Sequence, residues 1–165
     1  MPILKKTDVR PLRPIIMVIY GTPGTGKTSL SNTSENPLLI DCDRGFDRAA
    51  NQVDTLTAQT WEDILSEEGS MKGYKTIIVD TAKSMLDDFL AVYGVKQDYK
   101  LSKNKLKLFG YIADEFKNFV NRRRSDCSDI IFVCHDKETQ EGDLIKHSPD
   151  CTGQSKDLLI RIADQ

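Results

Sequence analysis

Apolar positions along this chain gather into short unbroken runs, and the stretches between them carry helical spacing. Residues 15–20 form the first run and lead into Gly21. Residues 38–40 lead into Asp41-Cys42-Asp43, residues 74–79 into Asp80, and residues 129–134 into His135. Runs without polar alternation suit strands covered on both faces, as in a parallel sheet. Residues 53–57 predict a weaker strand. Helices are expected over 28–32, 46–51, 61–68, 82–93 and 106–124. Trp61, Ile64 and Leu65 share one face of the third, and Leu108, Ile112, Phe116, Phe119 and Val120 recur along one face of the last. Residues 69–73 read as a turn. Residues 138–148, centred on Glu141-Gly142-Asp143, predict a hairpin, and residues 154–163 a final helix. Strands alternating with helices predict an α/β fold: a doubly wound, mainly parallel sheet with flanking helices, closed by a C-terminal β-hairpin and helix.

The first run carries the most chemistry. It enters Gly21-Thr22-Pro23-Gly24-Thr25-Gly26-Lys27-Thr28, the pattern G-x-x-x-x-G-K-T, where a helix can begin. Glycines at 21, 24 and 26 allow positive φ and leave backbone N–H groups free to wrap a polyphosphate. The following helix adds its unpaired N–H groups and its dipole. Lys27 supplies a mobile cation for the β- and γ-phosphates, and the Thr28 hydroxyl can ligate Mg²⁺. The expected nucleotide-binding residues are Gly21, Thr22, Pro23, Gly24, Thr25, Gly26, Lys27, Thr28 and Ser29.

Acids at the ends of the later runs extend this reading. Asp80 stands where a second Mg²⁺ ligand belongs, at the carboxyl end of a strand beside the phosphate loop, with Thr81 able to support the metal's water shell. Asp43 and Asp41 are both candidates for the carboxylate that orients an attacking water. Asp43 is the better placed to reach a γ-phosphate, and either could instead cap the helix expected near Phe46. His135 ends the last parallel strand and can sense the γ-phosphate, whereas His147 reads as a hairpin surface residue.

Composition changes little. One domain is expected over residues 1–165, with no repeat, linker or low-complexity tract to divide it. The net charge of −2 gives no global basic field to draw in nucleic acid. Cys42, Cys127, Cys134 and Cys151 lie far apart without a C-x-x-C pair, so buried thiols in a reducing cytoplasm are expected rather than a zinc site or disulfide framework. No run approaches the length of a membrane span, and the basic start lacks the apolar core of a secretion signal. The chain ends inside a helical pattern at Gln165 with no glycine cap, so a continuation is expected.

The phosphate loop, Ile40-Asp41-Cys42-Asp43-Arg44-Gly45-Phe46-Asp47, Ile77-Ile78-Val79-Asp80-Thr81 and Ile131-Phe132-Val133-Cys134-His135 together resemble the RecA-like ATPase core. More closely, the chain is similar to the short RecA-like ATP-binding proteins that bacteriophages carry for recombination and single-strand annealing. The tail Ser148-Pro149-Asp150-Cys151-Thr152-Gly153 and the helix ending Ile162-Ala163-Asp164 extend that similarity, which spans about residues 14–164. RecA proteins proper have glutamate where Asp43 stands and glutamine where His135 stands. They also carry domains that this chain lacks.

The resemblance implies hydrolysis of ATP with Mg²⁺, Lys27, Asp43 and His135 acting in catalysis and Thr28 and Asp80 holding the metal. It also implies single-stranded DNA and further copies of the chain as partners, with Lys146, Lys156 or Arg161 reaching a neighbour's nucleotide. Two basic stretches could meet DNA: residues 96–107, with lysines around Tyr93, Tyr99 and Phe109, and Arg122-Arg123-Arg124 at a helix end. Ordinary solvated faces explain both better, and DNA binding rests mainly on the resemblance. Two rival functions remain open, a nucleotide-dependent switch or assembly ATPase acting through a protein partner, and a small-molecule kinase. The kinase fits less well because the arginine run precedes a core strand instead of forming a lid.

Overall fold

The computed structural model describes residues 13–126 and 128–164. The basic start, Cys127 and the end at Gln165 lie outside them. The elements are β1 (Ile16–Gly21), α1 (Lys27–Ser31), β2 (Pro37–Asp41), β3 (Asp54–Thr57), α2 (Trp61–Ser66), β4 (Thr76–Asp80), α3 (Ala91–Gln97), α4 (Lys105–Ser125), β5 (Asp129–Glu141), β6 (Leu144–Pro149) and α5 (Gly153–Ile162). Five strands form a parallel sheet in the order β1-β5-β4-β2-β3, flanked by helices. This is an α/β arrangement in which β5 lies between the phosphate-loop strand and the Asp80 strand.

Register aligns the ends of the strands. Gly21 stands opposite His135, Val133 opposite Asp80, and Asp80 opposite Asp41. The residues that follow the four apolar runs, Gly21, Asp41, Asp80 and His135, therefore meet along one edge of the sheet.

The apolar runs are continuous because both faces are covered. All five residues of β4 are buried. One face packs Ile16, Leu38, Ile40, Ile77, Val79, Ile130 and Phe132 against the helices. Phe116 lies 5.2 Å from the Phe132 ring, and Trp61 meets Phe119 edge-on at 5.7 Å. The other face is a smaller cluster of Leu39, Ile78, Ile131 and Val133 with Ile19, Phe46 and Val53. α2 starts at a capping box: Asp63 N–H donates to Thr60 Oγ1 at 3.2 Å, and Thr60 N–H to Asp63 Oδ2 at 2.9 Å.

Several elements differ from the sequence expectation. The helix expected over 46–51 is a single 3₁₀ turn, Phe46–Arg48. The helix expected over 82–93 is π-helical over Ser84–Leu90 before α3 continues it. Met85, Leu86 and Leu90 are buried there, while the Asp87 carboxylate accepts from Thr152 N–H, Thr152 Oγ1 and Ser155 Oγ at the start of α5. The hairpin is no separate unit either. β5 runs unbroken past His135 to Glu141 and pairs antiparallel with β6. His147 stands on that hairpin, paired to Asp136 at 2.6 Å.

Cys42, Cys134 and Cys151 are free and buried. Burial pushes the Cys42 thiol up, and the hydrogen bond with the Cys151 thiol raises that of Cys134. No helix among the described residues is long and apolar enough to cross a membrane.

Gly94 of α3 marks a close approach to α4. A Cβ there would fall 2.8 Å from Tyr111 Cδ1 and 3.1 Å from Leu108 Cδ1. Alanine would gain about 1 kcal/mol of helix propensity, but overpacking of this kind costs about 1–3 kcal/mol. Tyr111 is hemmed in by Tyr93, with ring centroids 6.4 Å apart. The expected result of Gly94→Ala is a net loss of about 1 kcal/mol, read as a thermal midpoint lowered by about 2–4 °C. An unchanged or raised midpoint would show that the ring moves freely.

Candidate functional site

The loop between β1 and α1 takes its shape from two glycines. Gly24 and Gly26 have φ of 79° and 81°, which side-chain-bearing residues rarely adopt. Gly21, by contrast, is the last residue of β1 and has no positive φ. Lys27 Nζ arches back over the loop and donates to the carbonyls of Gly21 at 2.9 Å and Thr22 at 2.8 Å. Thr25 Oγ1 braces the turn by donating to the Thr22 carbonyl at 2.9 Å.

These residues border a cavity of about 300 Å³. Of the expected nucleotide-binding residues, Pro23, Gly24, Gly26, Lys27, Thr28 and Ser29 line it, while Gly21, Thr22 and Thr25 build the loop behind them. Asp43, Asp80 and His135, from the ends of three separate runs, also line it. Thr28 Oγ1 donates to Asp80 Oδ2 at 2.5 Å, so the loop hydroxyl and the strand carboxylate are already in contact across 52 residues.

Two hard oxygen donors at the mouth of a phosphate loop fit Mg²⁺, which takes one or two protein ligands and fills its remaining positions with water and phosphate. Burial holds the Asp80 carboxyl above the ordinary carboxylate range, and Asp41 adds to this. The Thr28 hydroxyl, His135 and Lys27 act against it. An acid crowded in this way gains from a neighbouring cation.

Asp41 and Asp43 divide the possibilities left open by the sequence. Asp41 is 2% exposed, and its carboxylate accepts from the N–H of Gly45 at 3.0 Å and of Phe46 at 3.4 Å. Asp41 therefore caps the turn after β2. Asp43 faces the cavity, its carboxyl pushed up to about 6 by burial, then by the Asp80 carboxylate and by Asp41, with His135 acting in the opposite direction. His135 brings Nδ1 to a buried position without a hydrogen-bond partner.

Gly45, Arg48, Ala49 and Ala50 complete the cavity wall and were not singled out from the sequence. A turn after an acid-ending strand was the available signal, but nothing local showed that it folds back over α1.

The basic stretches part company. Arg122 pairs with Glu68 at 2.9 Å and Arg124 with Asp164 at 3.6 Å, while Arg123 is buried beside Asp126 at 3.1 Å. All three serve the fold. Of the lysines in 96–107, Lys96 pairs with Glu62 at 3.0 Å, whereas Lys103 lies 5.5 Å from the exposed Tyr99 ring.

A family model described as AAA domain matches residues 13–165. The chain belongs to the AAA domain family. A solved structure, that of the RadB recombinase, is similar at 14% identity with a TM-score of 0.49, covering 91% of this chain and 72% of that one. Comparison with curated proteins finds no match. With its phosphate loop, this AAA domain chain is an ATP-binding P-loop NTPase.

Proposed function

We propose that this protein hydrolyses ATP with Mg²⁺ and couples the reaction to single-stranded DNA, as an oligomer, in the recombination or annealing reactions of a bacteriophage. The contact between Thr28 and Asp80 supports the nucleotide half of this reading most, because it brings together the two groups that would hold the metal. When bound, Mg²⁺ would offset charge on the phosphate oxygens.

The chain's own groups do the rest. Lys27 and the loop N–H groups hold the triphosphate and stabilise charge that develops on it. Asp43 accepts a hydrogen bond from a water, whose oxygen attacks the γ-phosphorus as the bond to the β,γ-bridging oxygen breaks. The water's proton passes to Asp43. His135, on β5 beside the phosphate-loop strand, faces the γ-phosphate side and reads its presence.

The DNA half is supported by the segment around Tyr99. Tyr99 is 69% exposed, Lys103 lies 5.5 Å from its ring, and Lys100, Lys105 and Lys107 are its near neighbours in sequence. A ring on which bases stack, with cations for the phosphates, suits single strands of any sequence.

The test is ATP hydrolysis with and without a single-stranded oligonucleotide, using wild type and Tyr99→Ala. DNA should raise the turnover of the wild type, and Tyr99→Ala should require about fivefold more DNA for the same effect. Turnover that ignores DNA would remove this half of the reading and favour a switch acting through a protein partner. Phosphate transferred to a metabolite instead of water would favour the kinase.

A further inference from the structure

Two basic side chains from the lysine and arginine set line the nucleotide cavity, Lys27 and Arg48. Only Lys27 belongs to the phosphate loop. Arg48 closes the 3₁₀ turn in the segment that joins β2 to β3, and that segment is fastened along its length. Asp41 holds the N–H groups of Gly45 and Phe46 at 3.0 and 3.4 Å, and the Phe46 ring packs on the smaller core cluster. Further on, Ala50 N–H donates to Ser29 Oγ at 3.0 Å, and Asn32 Nδ2 donates to the Asn51 carbonyl at 2.9 Å. The last two bonds lay the segment against α1, the helix whose N-terminus completes the phosphate loop. Arg48 sits between these fastenings, exposed, and none of the ion pairs among the described residues uses it.

We propose that Arg48 is a second phosphate-binding cation, supplied by the same chain that supplies the loop. The proposal rests on the reading of this cavity as a nucleoside triphosphate site. Asp43 and Asp80 already place two carboxylates beside the position a triphosphate would take, and the phosphate loop itself sets one cation, Lys27, against that accumulated negative charge. A guanidinium offers two parallel donors in a fixed plane, which match phosphate oxygens where an ammonium gives a single point of charge. Because the backbone that carries Arg48 is anchored beforehand, binding orders only the side chain. The arrangement also lets one isolated chain hold the triphosphate before any neighbour joins it.

Affinities of Mg-ATP and Mg-ADP for wild type, Arg48→Ala, Arg48→Lys and Lys27→Ala, measured by calorimetric titration, test this. Arg48→Ala should weaken ATP about tenfold, equivalent to about 1.4 kcal/mol. Arg48→Lys should recover part of that loss, since it keeps the charge and gives up the fork. The thermal midpoints of both Arg48 variants should match wild type, because the side chain is exposed and unpaired. If Arg48→Ala stays within about twofold of wild type while Lys27→Ala loses binding, the Arg48 assignment falls and the nucleotide site stands. If Arg48→Lys is as weak as Arg48→Ala, charge is not what Arg48 contributes, and the assignment falls again. A wild type that binds neither nucleotide overturns this proposal and the underlying reading together.

Discussion

Lys27→Ala should lower ATP turnover by about 100-fold or more and leave the fold standing. The lysine ammonium is held over the loop mouth by the carbonyls of Gly21 and Thr22. From that position it would bring a mobile positive charge to the β- and γ-phosphates of a bound triphosphate, where charge accumulates as the terminal phosphoryl group leaves. Alanine removes the charge and puts no donor in its place. Nucleotide binding weakens as well, because the same cation serves the ground state. The two carbonyls lie at a partly exposed loop, where water can replace the lysine, so the thermal midpoint should move by no more than about 2 °C. Phosphate release and a melting curve on the same preparation separate the two effects. Turnover within about threefold of wild type would mean that Lys27 lies outside the reaction path, whatever the loop binds.

That loop was legible in the sequence because its chemistry is local. Positive φ at Gly24 and Gly26, a lysine and a hydroxyl all fall within eight consecutive residues. The strands were legible for a related reason, since a parallel strand buried on both faces must be apolar throughout, and each ends where polar residues resume. What could not be read depended on contacts distant in sequence. Arg122 and Arg123 resemble a surface run until Glu68 is brought beside them, 54 and 55 residues away. Asp41 and Asp43 are both offered by the sequence as the water-orienting acid, Asp43 only by its place at the strand's end. They separate only when the turn after β2 folds back and uses Asp41 as its cap. Arg48 became part of the cavity for the same reason, through the bonds from Ala50 and Asn32 that fasten its segment to α1. The second half of β5 does not stand out in the sequence because it is polar on both sides. That is what a strand looks like once it leaves the sheet to form an exposed hairpin.

Asp43→Asn should move activity and stability in opposite directions. Asparagine keeps the size of the side chain and its place beside Asp41, but it cannot take a proton from water. A lost general base costs about 100-fold in turnover, with little change in nucleotide affinity if the carboxylate acts only as the reaction proceeds. In the wild type the Asp43 carboxyl is raised from 3.8 to about 6. Turnover should therefore fall as pH drops below about 6 and the carboxylate protonates, and this limb of the profile should be missing from the residual activity of Asp43→Asn.

The same shift fixes the stability effect. Folding holds the proton on Asp43 more tightly than the unfolded chain does, so the stabilisation it confers is complete below pH 3.8 and is lost as pH rises through about 6. At pH 7, without nucleotide or magnesium, Asp43 is a carboxylate crowded against Asp41 and Asp80. Replacing it with a neutral amide should raise the thermal midpoint by about 2 °C, a modest figure because solvent reaches the side chain. Asp41→Asn is the contrast. It weakens the cap on Gly45 and Phe46 and should lower the midpoint. A variant of Asp43 that loses stability and activity together would place it with Asp41 as a structural acid, and the water would need another base.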